Sequence, residues 1–469
     1  MDKSKKIKDL SKNTLLFTIS SFGTKIVAFF LVPLYTYVLT TSEYGILDLL
    51  TTTVQLLIPI FTLNIQDAVL RFSLDKDYRP EDVISVGFKV IGLSSIALGI
   101  VLGIMYYAGL ISLGGNYFLF VYISYISGTV NNSLSMYLKA KDKVRILAIW
   151  GIINTCVTCG LNVLLLIVLS LGVNGYIAAY VSGTIVADIG MFITGKVYQD
   201  FRWKVKSADI CRTMLFYSIP LVANTIGWWI NQASDRYILS FFCGTAVNGI
   251  YAVAYKIPSI LSAVQAVFYN AWSVSAITEF DKNDEDGFIG GVYSAYSAMS
   301  ILACSAIMMM NLFIAQILYS KDFFQAWRCV PLLLVGTVFN GLGLFNGCIF
   351  TAVKKTKEIS VTTVLGAAIN TVFNFALIPF LGSQGAAAAT LTGYFSIWLI
   401  RTIRMRKIIT MKMNWGSQIK CMLILFAQCI VATLFGGFIY QIPFIIGIIV
   451  IQRKLINGII QKILRIILK

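Results

Sequence analysis

Histidine is absent from all 469 residues, which excludes a catalytic imidazole, a histidine metal ligand and a histidine pH switch. Charge is scarce as well: Asp, Glu, Lys and Arg make up 13% of the chain, against about 25% in an ordinary soluble domain. No soluble domain fits into such a chain. The nine cysteines are an odd number and lie nearly all inside apolar stretches. Cys156-Val157-Thr158-Cys159 lacks a second pair or a histidine that would complete a metal site. They read as small core residues, and neither a metal nor a cofactor is expected.

What is present is apolar: 58% of the residues are hydrophobic and the mean hydropathy is +0.80. Stretches of about 20 apolar residues, enough to cross a hydrocarbon core, follow one another almost without interruption. The first, Leu15 to Leu39, is too long for a cleaved signal and is read as an uncleaved helix. Runs and breakers together predict about fourteen helices, starting near positions 14, 46, 83, 117, 144, 175, 212, 246, 288, 326, 359, 385, 417 and 438.

A net charge of +17 would suggest nucleic acid in a soluble protein. Here the bases sit in short clusters between apolar spans, so the partner is the bilayer and no nucleic acid is expected. The clusters are Lys3 to Lys12, Lys76 with Arg79, Lys139 to Arg145, Lys196 to Lys206, Lys354 to Lys357 and Arg401 to Lys412. Alternate connections are short and nearly free of base, Lys321 and Arg328 excepted. This alternation puts both termini in the cytoplasm, and parity puts the acidic loop Glu279 to Asp286 on the same side. From Asn457 to Lys469 the chain alternates Ile and Leu with Lys462, Arg465 and Lys469. It reads either as an interfacial amphipathic helix or as the positive end of the last span.

A thirteen-residue segment recurs in near-copy 210 positions on, with the Leu, three Gly and two Ala matching and Ser182 facing Thr392. Leu171-Gly172-Val173-Asn174-Gly175 to Gly183 lies over Leu381-Gly382-Ser383-Gln384-Gly385 to Gly393, and each copy follows an apolar segment holding an Asn, Asn162 or Asn374. An internal repeat whose copies share one orientation predicts an all-α polytopic membrane protein of two parallel six-helix bundles. They would be related by a pseudo-two-fold axis along the membrane normal, with two further C-terminal helices. The expected domains are 1–210, 211–410 and 411–469, with a substrate site between the two lobes.

A charged side chain at the bilayer centre costs about 2.5–3.5 kcal/mol, so such residues are expected to face a cavity or a partner. The candidate cavity cations are Lys25, Lys256, Arg236 and Arg71, of which Lys25 and Lys256 lie deepest in their spans. Arg71 and Arg236 have the alternative of snorkelling to an interface. Asp48, Asp67 and Asp188 are the candidates for ion coupling, whereas Asp235 reads as a local pair or helix cap. Asn224, Asn231 and Gln232 supply amides for sugar hydroxyls or for holding helices together. Trp228, Trp229 and Trp272 read as ring-stacking groups or interfacial anchors. Gly99 and Gly103 form a Gly-x-x-x-Gly pair that permits close helix packing.

Asn13-Thr14-Leu15-Leu16-Phe17, Pro33-Leu34-Tyr35-Thr36 and Ser42-Glu43-Tyr44-Gly45 resemble the start of bacterial Wzx-type polysaccharide flippases. These belong to the multidrug/oligosaccharidyl-lipid/polysaccharide (MOP) exporter superfamily. The second half agrees, with Ser218-Ile219-Pro220, Ser234-Asp235-Arg236-Tyr237-Ile238-Leu239 and Gly249-Ile250-Tyr251-Ala252-Val253-Ala254-Tyr255-Lys256-Ile257-Pro258 in family order. The resemblance spans essentially the whole chain. It implies a carrier, not an enzyme, in the bacterial cytoplasmic membrane. Its substrate would be an oligosaccharide on undecaprenyl diphosphate, destined for O-antigen or capsule, and its partners a polysaccharide polymerase or chain-length machinery. In the lipid II flippases of that superfamily, basic residues of the first, second and eighth helices line the cavity. Lys25 and Lys256 occupy comparable places, and Arg71 lies further towards the cytoplasm. A drug or small-solute exporter of the superfamily shares the architecture. A polysaccharide polymerase would need a large extracytoplasmic loop bearing catalytic groups, and the connections on that side are short.

Overall fold

The computed structural model describes residues 29–109, 115–202 and 208–467, and among these no strand forms. Lys25 and the part of the expected first span before residue 29 lie outside the described residues. The helices are α1 (Val32–Val38), α2 (Thr41–Thr62), α3 (Ile65–Ser73), α4 (Pro80–Tyr107), α5 (Gly115–Ala140), α6 (Val144–Asn162), α7 (Gly172–Thr194) and α8 (Ala208–Cys243). They continue with α9 (Thr245–Ala254), α10 (Lys256–Thr278), α11 (Phe288–Met309), α12 (Asn311–Leu318), α13 (Val330–Ala352), α14 (Thr356–Met405), α15 (Trp415–Phe435) and α16 (Phe438–Ile467). Nine helices among the described residues are long and apolar enough to cross a membrane. The protein is a multi-pass membrane protein.

Two compact units divide the chain. One holds Ile46–Trp229 with the described residues up to Leu39. The other holds Ile230–Lys469 together with Thr40–Gly45. The boundary falls inside α8, whose first 22 residues belong to the first unit.

In the first unit, α3, α4, α5 and α7 enclose a core of Ile65, Val69, Val83, Leu134 and Met191. A second core joins α2 to α4 and α5 through Leu50, Val54, Leu98, Phe120 and Tyr125. The polar ends of this bundle are tied to one another. Lys141 pairs with Glu81 (3.6 Å) and Asp200 (3.8 Å), the Tyr137 hydroxyl donates to Asp200 (2.7 Å), and Lys143 donates to the Gly195 carbonyl (2.7 Å). The connections before α4, between α5 and α6, and after α7 therefore meet at one end of the unit. Gly99 and Gly103 do not seat a helix as their spacing predicts. A side chain at Gly99 would touch the Tyr122 ring at 3.4 Å, and one at Gly103 would meet open space. Together with Tyr106 and Phe118 they line an apolar groove.

In the second unit α13 is the central helix, with 78% of its membrane-length window buried. Polar bonds carry the attachment of α15 to α11: Ser297 donates to Gln418 (2.6 Å) and Ser305 to Gln428 (2.7 Å). In an apolar solvent such side-chain bonds and close packing replace the hydrophobic effect as the force between helices. α16 runs unbroken to Ile467, so the last span and the basic tail form one helix.

The repeated segment folds alike in both units. Gly172 (φ +52°) and Gly382 (φ +54°) adopt the left-handed region that only glycine enters freely. Three residues on, a side chain at Gly175 or Gly385 would run into a carbonyl of the arriving helix, Leu165 or Leu377. Asn162 and Asn374 are both buried, and each donates to a group four residues back along its own helix, at 2.8 and 3.0 Å. The joint in the second unit divides α14 at Gly382 into two helical arms.

Candidate functional site

In the second unit the charges gather where α8 passes α9 and α14. Tyr251 and Tyr255 stand one turn apart on α9 and its C-cap, their rings edge to face at 5.2 Å, and both reach the buried carboxylate of Asp235. That carboxylate accepts from the Tyr251 hydroxyl (2.5 Å), the Thr390 hydroxyl (3.2 Å) and the Tyr255 hydroxyl (3.3 Å). Its other oxygen takes the backbone N–H of Arg236 at 2.9 Å. The Arg236 guanidinium lies 5.4 Å from the centre of the Tyr255 ring, within cation–π range. Lys256, half-buried, follows Tyr255 directly as the first residue of α10. One candidate cation thus lies against a tyrosine whose hydroxyl is held by a buried acid, and a second follows that tyrosine in the chain. Asp235 was legible as charged but not as the centre of this cluster.

The first unit holds its buried acid on α7. Asp188 accepts from Asn131 (2.7 Å) and Ser127 (3.3 Å), both on α5. Asp48 stands half-buried in α2, and Asp67 half-buried in the first turn of α3. Arg71 is exposed near the end of α3 and pairs with Asp75 at 3.4 Å. The span that carries Asp48, Asp67 and Arg71 is not one helix: it breaks at Leu63 and Asn64, between α2 and α3.

The amides divide by exposure. Asn224 and Gln232 are exposed on α8, whereas Asn231 is buried and donates to the Thr363 carbonyl on α14 (3.2 Å). Trp272 is buried against Phe345, the rings stacked at 4.1 Å, so its faces are used within the protein. Trp229 donates its ring N–H to the Thr52 carbonyl at 2.9 Å.

Arg401 corrects an expectation. Sequence reading put it in a basic connection, but α14 continues to Met405 and buries it. Its guanidinium donates to the Thr362 hydroxyl (2.9 Å), the Thr363 hydroxyl (3.0 Å), the Gly343 carbonyl (2.8 Å) and the Ile359 carbonyl (3.3 Å). One turn on, Arg404 pairs with Glu358. These bonds fasten the two arms of α14 to each other and to α13.

Arg236, Lys256 and Asp235 thus lie among helix-borne hydroxyls and amides, and comparison with known proteins places the chain in a family. The sequence profile of a family described as polysaccharide biosynthesis protein matches residues 10–273, more than half of the chain. The chain belongs to this family. An uncharacterized membrane protein of Methanocaldococcus jannaschii is 26% identical over 235 residues, covering 47% of this chain and 45% of that protein. The chain thus spans less than half the length of that relative. Among solved structures, the lipid II flippase MurJ in an inward closed conformation superposes with a TM-score of 0.70 at 13% identity, over 94% of this chain and 100% of that one. An inward-facing multidrug resistance MATE family transporter of the MOP superfamily gives 0.62 at 12% identity, over 84% and 95%. A MOP superfamily transporter from Pyrococcus furiosus gives 0.55 at 13%, over 84% and 95%. This member of the polysaccharide biosynthesis family therefore has the fold of the MOP superfamily transporters.

Proposed function

We propose that the protein is a Wzx-type flippase that carries oligosaccharide units linked to undecaprenyl diphosphate across the bacterial cytoplasmic membrane by alternating access, for assembly of a cell-surface polysaccharide. A diphosphate cannot cross hydrocarbon unaided because its charges would lose their hydration. A carrier that pairs the head group with fixed cations removes that barrier, while the polyprenyl tail stays in lipid. The observation that supports this reading is Arg236 over the Tyr255 ring with Lys256 next along the chain, two cations within the helices of a transporter fold. Membership of a polysaccharide biosynthesis family supports the substrate class. Lys25 and Arg71 are the further candidate cations, and Asn224 and Gln232 the candidates for sugar hydroxyls.

The decisive experiment deletes the gene and identifies the lipid-linked sugar that builds up on the inner leaflet. Accumulation of an oligosaccharide diphosphate lipid there, reversed by the wild-type gene, is the expected result. Unchanged surface polysaccharide together with sensitivity to small toxic compounds would favour the drug-exporter reading.

A further inference from the structure

The break between α2 and α3 interrupts a membrane span with neither glycine nor proline at the breaking residues. Leu63 (φ 53°) and Asn64 (φ 56°) both occupy the left-handed region, which side chains disfavour and which persists only where the surroundings hold it. Polar side chains hold it here. Asn64, buried, donates to the Thr225 hydroxyl of α8 (2.8 Å), and Gln66 donates to the Asn64 side-chain oxygen (3.1 Å). Thr62 donates to the Ile58 carbonyl at 2.7 Å. Pro59, inside the last turn of α2, removes the N–H that would tie that turn to the one before it. The two sides of the break also belong to different cores. Ile65 and Val69 seat α3 against α4 and α5 in one, and Leu50 and Val54 seat α2 in the other.

Held by Asn64 the joint is bent, whereas ordinary helical angles at Leu63 and Asn64 would join α2 and α3 into one continuous helix. We propose that Leu63–Asn64 is a hinge of the transport cycle, on which α2 swings while α3 stays seated, and that the Asn64–Thr225 hydrogen bond latches it in the bent state. The inference rests on the transporter reading for its role, but its geometry is testable without a transport assay.

The test places spin labels, through unnatural amino acids that leave the nine cysteines untouched, at the exposed positions Gln55 on α2 and Leu74 after α3. Distances are then measured in the full-length protein in lipid nanodiscs by double electron–electron resonance. Two distance populations are expected. Asn64→Ala and Thr225→Val should each move their ratio towards the longer distance by roughly two- to twelve-fold, the equivalent of one lost hydrogen bond. Leu63→Gly, which relieves the bent state of its steric penalty, should move the ratio the opposite way. A single distance unchanged in all three variants overturns the hinge, as does a shift by Leu63→Gly in the same direction as Asn64→Ala. Two populations in a protein that moves no lipid-linked sugar would instead count against the proposed function and leave the hinge standing.

Discussion

Gly45 and Gly249, 204 positions apart, face each other backbone to backbone. A Cβ at Gly45 would stand 1.9 Å from the Thr245 carbonyl oxygen, and one at Gly249 would stand 1.9 Å from that of Thr41. Around this contact the Ser42 and Thr245 hydroxyls lie 2.8 Å apart, and Asn248 donates to the Gly45 carbonyl at 3.1 Å. The start of α2 and the start of α9 thus touch through their main chains, and Thr40–Gly45 belongs with the second unit for that reason.

Neither glycine can take a methyl group without the helices moving apart, because the obstacle is backbone and not a flexible side chain. Gly45→Ala or Gly249→Ala should cost about 1–3 kcal/mol, the usual range for overpacking. Ser42→Cys paired with Thr245→Cys should cross-link readily under oxidation. Adding Gly45→Ala to that pair should abolish the cross-link, and an undiminished yield would show that the contact is not the close one described.

Asp284 organises the acidic connection between α10 and α11. Its buried carboxylate accepts the backbone N–H groups of Ile289 and Gly290 (2.9 Å each) and of Lys412 (3.0 Å). Since one hydrogen bond to a charged group is worth about 1.5–3 kcal/mol, Asp284→Ala should lower the thermal unfolding midpoint clearly and Asp284→Asn less. Nearby, the backbone N–H groups of Glu285 and Asn283 hold the Asp281 carboxyl below its ordinary value. A lowered value adds stability that is present above the ordinary carboxylate range and lost as pH falls towards the folded-state value. Protection factors of residues 279–287, corrected for the intrinsic pH dependence of amide exchange, should therefore fall below about pH 4, and the Asp281→Asn variant should lose that acid step.

The expected helix starts near 83, 117, 144, 175 and 246 fall within three residues of Pro80, Gly115, Val144, Gly172 and Thr245. The repeat was legible because Gly172 and Gly382 do the same local work, a left-handed turn that few other residues tolerate. The break at Leu63 was not legible, since Asn tolerates the left-handed region but Leu does not signal it, and the group that holds Asn64, Thr225, lies 161 residues on. Arg401 and Asp235 share that cause. The oxygens around Arg401 come from Gly343, 58 residues away, and from Thr362, 39 away. The Thr390 donor to Asp235 lies 155 residues away.

Asp235 draws donors from α9, from its C-cap and from α14, so its removal should loosen several elements at once. Asp235→Ala leaves three hydroxyls without their acceptor in a buried site and should cost about 1–3 kcal/mol, the range for leaving a buried polar group unsatisfied. Asp235→Asn keeps the volume and one acceptor and should cost less. Tyr251→Phe removes one donor and should cost about 1 kcal/mol. Thermal unfolding in one detergent would rank the three. Equal midpoints for Asp235→Ala and Tyr251→Phe would show that the carboxylate does not organise the cluster.

Lys256 and Arg236, with Lys25, are the charges expected to move with the substrate, and their sign suggests what drives the cycle. Each unit charge crossing the membrane is worth about 2.3 kcal/mol per 100 mV. If bound diphosphate neutralises the cations, the loaded carrier moves little net charge outward, and the empty positive carrier is drawn back by the negative interior. Flipping in vesicles should then stop when the potential is collapsed while proton and sodium gradients are kept. Lys256→Ala should abolish transport in a protein that still inserts, and Lys256→Arg should keep part of it. Asp48→Asn, Asp67→Asn and Asp188→Asn should each leave substantial transport. Insensitivity to potential, with loss of transport in one Asp→Asn variant, would replace this mechanism by cation antiport, because a neutral amide cannot substitute for a carboxylate that binds the coupling ion.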